Sequence, residues 1–551
     1  MPASQRSTAL NPIVFKDFRP GIGDDPGSNY PAESATRANT WRCIANRNGA
    51  LVPLPWRQEP FSMPHEIATG TIWVNGIFVP PIGVLPTVVA PNNIRPAHEL
   101  FVGTEYAVGT TGTHKLYRVR RFEGVYGDTF DLLGTHTYTT GTADTTKPVG
   151  MQFGSTRSNS ADNTVTGVPI TVALWVHGVN TCYVLSFPDD AAPSTNTPYY
   201  HLDNSGFPLA VACHQGRTVL QHATAYGQGV NASTFMGEDL DWSRVNNFKN
   251  WAPNTDPAIA IHVFPQCFVP ENPSGYAFLA PMTANELFAV KGTGALYVSG
   301  DLDNPTVVTL PMATGSDLSH TPAFTDIGVV YGNRVSGIWA WSHGDNSSLV
   351  SPTMTPDFWV LTPGVGDDAF GGIAYQFGRC DDWVLVPNNF LYDVALKSWW
   401  RLEDPSVAQM RFYTCMGHLI YGAESSYTAA ADKPVHLWQR DVKGPSYSWQ
   451  SQPIWQSVAD VVNVAEIELV ARGHGQVKLS LTALDGTTNS ITIELADAGY
   501  PERFRENFAI QGKYLQLRIE ADSFTPLYYP APTVYSVTLY PFTEQPIGHT
   551  L

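Results

Sequence analysis

The sequence predicts an all-β protein, on three observations. Glycine (46) and proline (43) are plentiful in 551 residues, which calls for many turns. Charged residues make up only 15% against 43% hydrophobic residues, and Val, Thr, Tyr and Trp, which fit a pleated, half-buried surface, are abundant. No long Leu/Ala/Glu/Lys stretch carries a helical period. The expected architecture is a β-propeller of about six blades, with an N-terminal extended arm and a C-terminal β-sandwich. The expected boundaries are 1–64 for the arm, 65–445 for the propeller with long inserted loops, and 446–551 for the sandwich.

The arm contains Val14, Phe15, Phe18, Ile22, Trp41, Ile44, Leu51 and Leu54, spaced too irregularly to form a core of their own. Apolar side chains without a local core must bury against something else. Two destinations are open. The arm can close a propeller sheet by pairing near Leu437-Trp438, or it can cross to a neighbouring subunit, with Phe15, Phe18, Ile22 and Trp41 as interface residues.

The propeller region repeats one theme: two short apolar runs across a Gly or Asn turn, then a polar loop. Its instances are 99–122, 171–187, 209–225, 285–298, 327–341, 383–402 and 412–440. The stretch DDWVLVPNNFLYDVALKSWWRL (381–402) is the plainest. It reads as three strands, with Pro387-Asn388-Asn389 as the first turn because Asn tolerates a left-handed backbone. Such a sheet cannot bury a face alone and must pack on others like it.

After residue 445 the strands lengthen and alternate strictly, as in Leu515-Gln516-Leu517-Arg518-Ile519. Apolar residues two apart share a face. The expected core comprises Ile467, Leu469, Val477, Leu479, Leu481, Leu515, Leu517 and Ile519, and Asp485-Gly486 is a hairpin turn.

Lys and Arg number 32 against 49 Asp and Glu, a net charge of −17, which argues against a surface that holds nucleic acid through its phosphates. The polar N-terminus predicts no secretory signal, and no run approaches about 18 apolar residues, so no membrane insertion is expected. The cysteines 43, 182, 213, 267, 380 and 415 form no C-x-x-C, so neither a disulfide nor a zinc site is expected.

Chemistry is harder to find. His65-Glu66 and His98-Glu99 do not extend to H-E-x-x-H, and neither a nucleophile elbow nor a phosphate loop occurs. Glu238, Asp239 and Asp241 offer oxygen ligands for Ca²⁺, although an acidic turn between strands explains them more simply, since ligand spacing alone is weak evidence. The tryptophans, among them Trp339, Trp341, Trp383, Trp399, Trp400, Trp438 and Trp449, suit a core better than a sugar platform. No catalytic residue and no cofactor is assigned, and the expectation is a protein that is not an enzyme.

Three stretches resemble the tail nozzle (tail tube B-like) β-propeller proteins of short-tailed bacteriophages. They are KDFRPGIGDDPGSNYPAESATRANTWRCIANRNGALVPLP (16–55), MGEDLDWSRVNNFKNW (236–251), and the C-terminal set AEIELVARGHGQVKLSLTALDG (465–486), RENFAIQGKYLQLRIEA (505–521) and PTVYSVTLYPF (532–542). The resemblance implies a structural virion protein assembled in the host cytoplasm into a ring, typically of six copies, below the portal and adaptor. It also implies contacts with tail fibre or spike proteins and genomic DNA passing through the ring without sequence-specific binding. The alternative is a propeller glycoside hydrolase or a carbohydrate-binding tail protein acting on host surface polysaccharide.

Overall fold

The computed structural model describes residues 6–9, 11–22, 38–64, 70–79, 97–122, 128–139, 150–157, 169–177, 181–187, 198–201, 211–222, 239–242, 278–290, 294–302, 305–311, 315–316, 320–333, 337–342, 348–351, 375–403, 410–428, 433–454, 462–526 and 528–545. Among them every regular element is a strand. The all-β propeller architecture read from the sequence is therefore the one observed.

Among the described residues seven small sheets follow one another along the chain, and each of the seven repeats read from the sequence falls in a different one. Five are antiparallel blades built on four consecutive strands, the first of which also takes up Ser426–Tyr427 opposite Ile72 and Trp73. The first is Ile72–Phe78, His98–Val108, Thr111–Arg121 and Asp128–Thr139. The others span 150–201, 278–311, 323–349 and 378–401. Between the second and third lies a three-stranded sheet, Val211–His214, Arg217–His222 and Asp239–Trp242. About six blades were expected; the count differs because the remaining two sheets depart from the four-strand pattern. One has three strands and the other draws strands from distant segments.

That last sheet has six strands. Met410–Met416, Leu419–Glu424 and Val435–Lys443 come from the end of the propeller region, and Pro55–Phe61 adds to the edge from the start of the chain. Leu437 lies opposite Gln58 and Trp438 opposite Arg57. Closure thus occurs at the place expected from the sequence, through the last strand of the arm. The first strand of each sheet touches the first strand of the next at several junctions, including Gly378–Cys380 with Met410–Met416 and Met410–Met416 with Ile72–Phe78.

The blade at 378–401 shows why these segments fold locally. Asn388 and Asn389 both adopt positive φ, 69° and 66°, as a tight turn matching the strand twist requires. Val386 then pairs with Phe390 and Trp383 with Asp393, whose carboxylate accepts from the Trp383 indole at 3.2 Å. The buried Asn389 side chain also accepts from Tyr413 Oη at 2.8 Å, tying the turn to the next sheet.

The C-terminal strands and the arm build one ten-stranded, nearly closed sheet. Ile13–Phe15 pairs with Thr533–Gln545, Ala38–Trp41 with Ser446–Ser451, and Leu51 lies opposite Val534. Val462–Thr482 is one long bent strand. It turns a corner at Gly473 and Gly475 (φ +132° and +150°), pairing with Thr533–Gln545 before the corner and Gln516–Asp522 after it. A Cβ on Gly475 would lie 2.0 Å from the Asp522 carbonyl oxygen, so glycine is required there. All eight core residues expected for this module are buried. The core of this sheet is continuous with Phe15, Phe18, Leu51 and Leu54 of the arm and with Trp400 of the neighbouring blade.

Candidate functional site

The first blade carries a buried polar row across three strands. A bulge between Val74 and Gly76 adds Asn75 to the first strand. The hairpin turn at Gly109 sets Glu105 opposite His114 on the next strand and opposite Trp73 on the first. Residues directly opposite share a face, so Trp73, Glu105 and His114 form one line. Asn75 Nδ2 and His114 Nδ1 are 3.1 Å apart, and His114 Nε2 lies 3.8 Å from Glu105 Oε1.

Glu105 and His114 are buried, whereas Trp73 remains 41% exposed. Burial pushes the Glu105 carboxyl up to about 8, against a hydrogen bond from Asn75 that lowers it. Near neutral pH this group therefore holds a proton, and a neutral carboxylic acid beside an accessible indole can donate it to a ligand. Further along the strand Glu99 pairs with Arg118, while His98 Nδ1 and Tyr421 Oη, across the junction with the closing sheet, are 2.8 Å apart. Six residues of strand at about 3.3 Å each separate Glu99 from Glu105 by about 20 Å, too far for the two to act on one bond.

The residues singled out from the sequence lie elsewhere. Phe15, Phe18 and Ile22 are buried within the chain, and Trp41 is half-buried beneath the Arg518 guanidinium, 5.7 Å from its ring centroid. Phe15 and Phe18 pack on Trp449, and Ile22 N donates to Trp399 O at 2.8 Å. Asp239 and Asp241 lie on strand Asp239–Trp242, paired with His222 and Leu220, and not in a turn; Glu238 lies outside the described residues. His65 and Glu66 also lie outside them. Trp341, Trp383, Trp399, Trp400, Trp438 and Trp449 are buried, as a core role requires.

Glu105, His114 and Asn75 escaped the sequence reading. The signal was present in part: a two-residue turn at Gly109-Thr110 fixes Glu105 opposite His114 by counting. Nothing local revealed that the pair would be buried, or that a bulge would bring in Asn75.

No protein-family model matches the chain, and no curated protein matches it. Among solved structures it is similar to an exo-β-1,3-galactanase from Phanerochaete chrysosporium with β-1,3-galactotriose, at 9% identity over 86% of this chain and 100% of that one, TM-score 0.24. It is also similar to a structure described as a glycoside hydrolase, at 10% identity over 86% and 100%, TM-score 0.25. A third is the extracellular domain of a one-component system from B. thetaiotaomicron, at 8% identity over 90% and 98%, TM-score 0.20. These findings correct the expectation that the chain is not an enzyme, because hydrolases stand among the structures it is similar to. The likeness assigns it neither a catalytic residue nor a substrate.

Proposed function

We propose that this chain is a glycan-directed β-propeller protein that binds, and in the hydrolytic version cleaves, surface polysaccharide at the Trp73–Glu105 row. The observation that carries this reading is the buried Glu105, its carboxyl pushed up to about 8, paired across the strands with the half-exposed Trp73. Indole faces stack on sugar rings, and a carboxyl held protonated at neutral pH suits protonation of a glycosidic oxygen. Hydrolysis also requires a second carboxylate about 5–10 Å from the first, a role Glu99 does not fill. Binding requires only the indole and the polar row.

The test is a panel of bacterial surface polysaccharides, scored for binding by calorimetry and for cleavage by new reducing ends. Trp73→Ala should weaken binding about tenfold, the scale of one aromatic contact. Glu105→Gln should abolish cleavage and leave binding intact. A chain that neither binds nor cleaves any glycan of the panel overturns the reading.

A second reading, the ring-forming tail nozzle, is favoured by a different observation. Described strands of the first and third stretches that carry the sequence resemblance, from opposite ends of the chain, belong to one ten-stranded sheet, in which Leu51 lies opposite Val534. In this reading copies assemble as a ring, of about six by the resemblance, between the adaptor and the tail fibres, and DNA leaves through it. Negative-stain microscopy of the purified chain decides it: rings with a central hole support it, and monomers at all concentrations overturn it.

A further inference from the structure

We propose that Cys380 and Cys415 are an oxidisable dithiol whose disulfide staples the blade at 378–401 to the sheet that closes the propeller. Two contacts between the adjoining strands place the pair. Gln376 is the parallel partner of Phe412. Two residues on, a Cβ added to Gly378 would lie 2.9 Å from Tyr413 Cβ and 3.3 Å from Thr414 N, so the two backbones nearly touch. Two residues further along each strand, on the same sides as Gly378 and Tyr413, stand Cys380 and Cys415. Both are free thiols, and the Cys380 sulfur lies 3.5 Å from the Gly417 carbonyl oxygen.

The surroundings favour thiolate chemistry at this seam. Arg440 Nη1 donates to the Cys380 carbonyl at 2.9 Å and to Asp381 Oδ2 at 2.7 Å, and its guanidinium lies over the Trp383 ring at 4.1 Å. Arg440 also pairs with Asp382, and His418 Nδ1 lies 3.5 Å from Asp381 Oδ2. The Cys380 thiol sits below the usual thiol range, chiefly through the hydrogen bond with Cys415, with burial opposing and Arg440 assisting. Cys380 is buried and Cys415 half-buried.

With hydrogen peroxide as oxidant the chemistry balances. The Cys380 thiolate attacks one peroxide oxygen; an S–O bond forms, the O–O bond breaks, and the second oxygen leaves as water. The Cys415 sulfur then attacks the sulfenic sulfur; an S–S bond forms, the S–O bond breaks, and the oxygen leaves as water with the Cys415 proton. Two thiols and one peroxide give one disulfide and two waters.

The experiment uses the full chain. Purified protein is exposed to hydrogen peroxide, remaining thiols are alkylated, and the digest is mapped by mass spectrometry. The expected result is a linked pair of peptides carrying Cys380 and Cys415, separable by dithiothreitol, and a higher melting temperature than the reduced protein. Cys415→Ala should remove both the link and the temperature shift. Alkylation of both cysteines after peroxide, or their conversion to sulfinic acids without a link, overturns the proposal. The wild-type map decides the matter even where a cysteine variant folds poorly.

Discussion

Phe18 meets Trp449 edge to face, with ring centroids 5.1 Å apart and planes at 84°, although the two residues come from opposite ends of the chain. Both are fully buried, and Phe15 approaches the same indole at 5.9 Å. The arm is thus an internal part of the C-terminal core. Edge-to-face pairs add about 0.5–1.5 kcal/mol to the burial of the rings themselves.

Phe18→Ala should therefore cost about 3–5 kcal/mol. Urea unfolding followed by tryptophan fluorescence measures it. Deleting residues 1–53 should go further and yield a chain that melts early or aggregates, because the C-terminal sheet loses five of its strands. A truncated chain as stable as the intact one would refute this role for the arm.

Leu517 lies at the centre of the same sheet, opposite Leu481 and fully buried. Leu517→Ala should destabilise the protein by roughly 2–5 kcal/mol, whereas a change at exposed Leu484 should be nearly neutral. Chemical denaturation of the two variants side by side makes the comparison.

At the turn of the 378–401 blade, the backbone decides the outcome. Asn388 has φ 69° and its N–H donates to the Met410 carbonyl at 2.8 Å. Asn388→Gly should be tolerated, because glycine takes that conformation without strain. Asn388→Val should cost about 1–2 kcal/mol, the left-handed penalty of a branched side chain. Equal melting temperatures for the two variants would show that the turn is not left-handed in solution.

Glu105 makes stability depend on pH. Its carboxyl moves from 4.5 to about 8 on folding, chiefly by burial beside Asn75 and His114. The folded state therefore keeps a proton that the unfolded chain has released. The associated stability is fully present below about pH 4.5 and is lost as pH rises through about 8. Glu105→Gln, which cannot ionise, should flatten the decline in melting temperature across that window. An unchanged slope in the variant would mean that another group carries it.

Much of the fold was legible because its hairpins are local. Asn388-Asn389 carries its own turn signal, and alternation at 515–519 announces which side chains face inward. The seven repeats could be read for the same reason: each needs only a turn and two apolar runs. The candidate site was legible only up to its register. The spacing around Gly109 places Glu105 opposite His114, but the proton affinity of that carboxyl comes from packing, which spacing does not express.

The sequence by itself determined the all-β class, the hairpins and their inward faces, because turn preference and two-residue alternation act over a few residues. Only the tertiary structure decided that Phe15 and Phe18 bury on Trp449, that Pro55–Phe61 completes the last sheet, and that the strand carrying Cys380 lies against the strand carrying Cys415. Those partners lie far apart along the chain, and many segments of similar apolar pattern could have taken each place. The choice among them is made by burial, through which strand edge remains open and which core has room once the other sheets have formed.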